Sequence, residues 1–128
     1  MGIPVLGHLD IKNPPTTVAN SSGTRRCTLT TNNNFKFTSL NAATTVQLDD
    51  CEKVLGQSGV IVITNASSTG SLSFSLTANF GSGASASNVL TPGGSTISFN
   101  TTANVTHMIS YYVSADDAVL VNYIGMFA

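Results

Sequence analysis

Residues 109–128 read ISYYVSADDAVLVNYIGMFA, two runs rich in β-branched and aromatic residues on either side of a short acidic turn. Val, Ile and Tyr favour pleated strands, whereas Ala115, Asp116 and Asp117 are turn residues, so the stretch predicts a β-hairpin. Along the second run the side chains on both faces are largely apolar. A strand of this kind lies between layers, or between its own sheet and a neighbouring subunit.

We therefore expect residues 119–127 to form a buried strand, interior to a sheet, whose end lies at a subunit contact. Removal of residues 124–128 is expected to abolish assembly or solubility. The residues assigned to the contact are Tyr123, Ile124, Met126 and Phe127.

Upstream of the hairpin the pattern stays that of β-strands. GVIVITN at 59–65 is apolar on both faces and predicts a central strand, whereas SLSFSL at 71–76 alternates as a half-buried strand does. The segment 79–96 is rich in Gly, Ser and Ala and predicts an exposed loop. Strands are predicted near residues 26–31, 35–40, 44–49, 59–65, 72–76, 96–100, 108–114 and 119–124. The fold class is therefore all-β, an antiparallel β-sandwich or jelly-roll-like domain of about eight strands.

Residues 1–24 differ from the β-rich domain at 25–128 and predict an extended N-terminal arm. They contain three of the four prolines and lack a helical or strand period of useful length. An apolar arm that cannot form its own core is expected to dock on another protein, although a terminus that partly covers its own domain is the alternative. The residues assigned to docking by this arm are Ile3, Val5, Leu6, Leu9 and Ile11.

The composition excludes several classes of partner. Charged residues make up 9% of the chain and the net charge is −1, so a nucleic-acid ligand is not expected. Ser, Thr and Asn fill 45 of the 128 positions, which predicts a surface of hydroxyl and amide groups. No run of 18 apolar residues and no signal peptide is found, so no membrane partner is expected.

Candidate chemistry is sparse. His8 and His107 are the only histidines, and no G-x-S-x-G motif, phosphate loop or spaced calcium ligands occur, so we expect no catalytic site, cofactor or metal. The acidic pairs at 49–50 and 116–117 fit turns better than a calcium site. Cys27 and Cys51 could pair in one disulfide or stay as small buried hydrophobes, with cytoplasmic synthesis favouring thiols.

GQSGVIVITNASSTGSLSFSLTANF at 56–80 and VTHMISYYVSADDAVLVNYIGMFA at 105–128 resemble a small β module of tailed-bacteriophage virion proteins. The matching positions cover about half of the chain and are structural in kind. Related modules close tail fibres, where they look like trimeric tips. This sequence begins at Met1 and has no fibre shaft, repeat or coiled coil, so it is more similar to a capsid decoration, or cement, protein.

The resemblance implies a virion structural protein, made in the host cytoplasm, that binds the outer surface of major capsid subunits and stabilises the shell. It also implies a homotrimer at threefold or quasi-threefold positions. Receptor binding at a tail-fibre tip is the alternative, and a non-viral β-sandwich adhesin or carbohydrate-binding module is the third hypothesis. An enzyme is not expected, because no residue set combines a base, a nucleophile and an oxyanion site.

Overall fold

The computed structural model describes residues 15–18, 23–40, 44–66, 74–98 and 102–128. The regular structure of these residues consists of strands and three single-turn 3₁₀ helices, which confirms the all-β prediction. The strands are β1 (Thr16–Val18), β2 (Gly23–Thr28), β3 (Asn34–Leu40), β4 (Thr44–Asp49), β5 (Ser58–Asn65), β6 (Phe74–Asn79), β7 (Ala84–Ser85), β8 (Val89–Leu90), β9 (Thr106–Ser114) and β10 (Ala118–Phe127). The 3₁₀ helices are Cys51–Lys53, Ala86–Asn88 and Pro92–Gly94.

The strands form a six-stranded sheet in the order β1-β3-β5-β9-β10-β8 and a four-stranded sheet in the order β2-β4-β6-β7. From β1 to β6 the chain alternates between the two sheets. Neighbours within each sheet are therefore separated in sequence by a strand of the other sheet, and both runs, β1-β3-β5 and β2-β4-β6, pair in parallel.

Both sheets are consequently mixed, and the prediction of an antiparallel domain is wrong for the first half of the chain. Parallel strands require a crossover connection, and here a strand of the opposite sheet supplies it in place of a helix. Antiparallel pairs join β5 to β9, β9 to β10 and β6 to β7, while β8 pairs in parallel with β10.

Buried side chains from both sheets belong to one hydrophobic cluster. Alternate residues of the longer strands point into it, as the period-two pattern predicts. Contributors from the six-stranded sheet include Phe35, Phe37, Ile61, Ile63, Ile109 and Tyr111, and those from the four-stranded sheet include Val46, Leu48 and Leu76. β5 lies between β3 and β9, which confirms that residues 59–65 form a central strand.

Some of the predicted strand positions need correction. The strand expected at 26–31 occupies Gly23–Thr28, and no strand is found at residues 96–98 of the one predicted at 96–100, whose last two residues lie outside the described part. The predicted loop at 79–96 contains the two short strands β7 and β8. Short strands of this kind carry too few residues to show a period, so composition dominated the prediction.

The predicted arm is described only in part. Residues 1–14 and 19–22 lie outside the described residues, and the former contain all five assigned docking residues, Ile3, Val5, Leu6, Leu9 and Ile11. Thr16–Val18 form β1, a strand at one edge of the six-stranded sheet that the sequence pattern did not predict. The boundary between arm and domain at residue 24 stays a prediction.

A hydrogen-bonded clasp ties the 29–34 turn to the six-stranded sheet. The Tyr111 hydroxyl on β9 donates to the Asn33 carbonyl at 2.7 Å and accepts from Gln57 Nε2 at 3.2 Å. Gln57 Nε2 also donates to the Leu29 carbonyl at 3.0 Å. Gly59 lies opposite Tyr111 in the β5–β9 pair, and a Cβ there would overlap the Asn33 carbonyl oxygen. Glycine at this position is what allows the carbonyl to reach the phenol.

Candidate interaction surface

The two faces of β10 have different surroundings. Val119 and Val121 are buried on the inner face, as expected, whereas Leu120 on the outer face is 46% exposed. One chain alone therefore buries only half of this strand. β8 pairs with Val119 and Leu120 alone, so among the described strands the remainder of β10 has a ladder partner only on the β9 side.

A β-bulge changes the direction of the side chains near the end of β10. Tyr123 lies opposite Ile109 and Gly125 opposite Met108, so Ile124 is the extra residue on this strand. Bulges of this kind re-aim the side chains that follow. Ile124, Met126 and Phe127 are 49%, 45% and 52% exposed, and we call these three residues the β10 tip.

A groove opens on the outer face of the same sheet, and its last residue on β10, Asn122, lies two residues before the tip. Leu120 lies between Tyr112 of β9 and Leu90 of β8 in the strand register, and all three side chains are about half exposed. The cavity has a volume of about 360 Å³. Its lining, which we call the β8–β10 groove, consists of Leu90, Thr91, Pro92, Ser110, Tyr111, Tyr112, Leu120, Val121 and Asn122.

Neither the tip nor the groove contains an acidic or basic side chain. Exposed apolar side chains that stand singly are normal on a protein surface, but Leu90, Leu120 and Tyr112 are neighbours on three adjacent strands. Contiguous apolar patches mark sites of interaction with other molecules. The arrangement is suited to burying an apolar partner without removing water from any charge.

The four residues assigned to the subunit contact separate into two groups. The Tyr123 hydroxyl lies 2.8 Å from His107 Nδ1, and the His107 side chain is fully buried. Desolvation raises the pKa of Tyr123, so its phenol stays neutral at ordinary pH. Tyr123 thus anchors β10 to the interior, while the other three residues form the exposed tip. Whether the tip meets another subunit stays a prediction.

Sequence reasoning did not identify the groove. Its wall depends on β8, a two-residue strand in a segment predicted to be a loop. The sequence contains one signal for this strand, which is the apolar pair Val89-Leu90 before Pro92 in a stretch of otherwise small and polar residues. The exposure of Tyr112 was also not predicted. Adjacent strand residues point to opposite faces, so only one residue of the pair Tyr111-Tyr112 lies on the core side.

The two cysteine side chains have environments that suppress the reactivity of a thiol. Cys27 and Cys51 are buried free thiols rather than a disulfide. Desolvation, with a smaller contribution from Asp49, raises the pKa of Cys27 to about 12, and burial also raises the pKa of Cys51 to about 11. A thiol must be ionised to attack or to bind a metal, and neither of these is ionised at neutral pH.

The acidic residues at 49–50 are engaged within the chain. Asp49 accepts from Arg26 at 3.2 Å and from Gln47 at 2.7 Å. Asp50 lies 3.7 Å from the Lys53 ammonium and accepts from Thr30 at 3.0 Å. No group of three or more metal-ligating side chains occurs in the described parts of the chain. These carboxylates stabilise the end of β4 and the following turn.

Among the described residues, no helix has the length and apolar character needed to cross a membrane. Comparison with protein-family models finds no match, and neither do comparisons with curated proteins and with solved structures.

Proposed function

We propose that this protein is a virion structural protein that decorates a tailed-bacteriophage capsid and stabilises it by binding the outer surface of major capsid subunits. The observation that carries the proposal is the uncharged apolar surface formed by the β10 tip and the β8–β10 groove, which is suited to burial against a protein partner. The resemblance of residues 56–80 and 105–128 to phage virion modules supplies the setting. The two sheets around one core suggest a sandwich-like body that is rigid enough for a mechanical role.

The order of the strands supports a bridging role. β1, which lies within the predicted arm at 1–24, is at one edge of the six-stranded sheet, and β8 lies at the other. The described strand of the arm and the groove therefore lie at opposite edges of one sheet. In the proposal, the arm docks on a capsid subunit while the tip and groove hold neighbouring copies, as in a homotrimer at a threefold position. Two linked contacts raise avidity beyond that of either alone.

A charged substitution in the arm tests whether the arm binds the capsid. Leu6→Asp is expected to weaken binding to particles that lack the protein, because burying an unpaired carboxylate in an apolar contact is costly. Asn13→Asp adds the same charge at a polar position of the same arm and serves as the control. Binding would be measured by co-sedimentation with the particles, and the fold of both variants by circular dichroism.

Particle stability tests the function itself. Particles made without this protein are expected to lose resistance to heat and low salt, and addition of the purified chain is expected to restore it. Unchanged resistance, combined with slower adsorption to the host, would instead favour receptor binding at a tail tip. Equal binding by Leu6→Asp and Asn13→Asp would remove the arm as the anchor.

A further inference from the structure

We draw no further inference here: the strongest candidate, the uncharged apolar β8–β10 groove on the outer face of the six-stranded sheet, carries no proposal because nothing in the described part of the structure shows what covers it.

Discussion

Tyr111→Phe is the most informative test of the clasp that fixes β9 to the 29–34 turn. The change removes only the hydroxyl, because the buried ring retains its packing. The Asn33 carbonyl then loses a donor at 2.7 Å and Gln57 loses an acceptor at 3.2 Å. Gln57 Nε2 retains the Leu29 carbonyl at 3.0 Å, so the loss is concentrated at Asn33.

The expected cost follows from these contacts. A net hydrogen bond contributes about 0.5–1.5 kcal/mol, and the variant loses two of them, so we expect about 1–2 kcal/mol less free energy of unfolding. With a urea dependence of about 2 kcal/mol per molar, the midpoint should fall by roughly 0.5–1 M. Far-ultraviolet circular dichroism at a fixed protein concentration measures this shift.

Tyr112→Phe is the matched control. The neighbouring side chain is 48% exposed on the opposite face, and its substitution is expected to change stability by less than about 0.5 kcal/mol. Equal midpoints for wild type and Tyr111→Phe would refute the importance of the clasp. Equal losses for the two variants would show that the effect does not come from the Asn33 contact.

Three further predictions follow from the packing of the core. Gly59→Ala should lower the free energy of unfolding in urea by about 3 kcal/mol or more, because the new Cβ meets the Asn33 backbone. Ser58→Ala serves as the control and should lower it only slightly. Similar losses of free energy in the two variants would contradict this explanation. The free energy of unfolding should fall as the pH rises from about 9 to 12, because Cys27 ionises near 9.0 in the unfolded chain but near 12 in the folded chain. The raised pKa values of Cys51 and Tyr111 act in the same direction, so Cys27→Ala should reduce this slope without abolishing it. An unchanged slope would argue against the contribution of Cys27. A thiol reagent should react slowly with the native chain and should titrate both Cys27 and Cys51 in urea; rapid native labelling would show that the core is open.

The local pattern of the chain could be predicted where apolar periodicity was long. Residues 59–65 were identified as a central strand because both faces carry Val and Ile, and Thr44–Asp49 forms a strand at the predicted position. Pairing could not be predicted in the same way. The two-residue alternation of apolar side chains indicates which face of a strand is buried, but it does not indicate which strand lies beside it. The alternation of the chain between the two sheets was therefore not predicted.

The candidate surface was predicted only at one end. The exposed tip at Ile124, Met126 and Phe127 follows from apolar residues continuing beyond the hairpin core, whereas the bulge that exposes them depends on backbone register. The groove combines β8 with Tyr112 and Leu120, which are brought together by a parallel pair over residues 89–90 and 119–120. Contacts of this kind between distant, short segments leave no period in the sequence.

Electron cryomicroscopy of intact particles that contain the protein would show where the domain lies. We expect density on the outer surface of the head into which the two-sheet domain fits, with the face formed by β8, β9 and β10 covered by a neighbouring copy and the arm side against the shell. Density for the domain confined to the tail tip, or a head-bound domain whose β8–β10 groove faces open solvent, would contradict it.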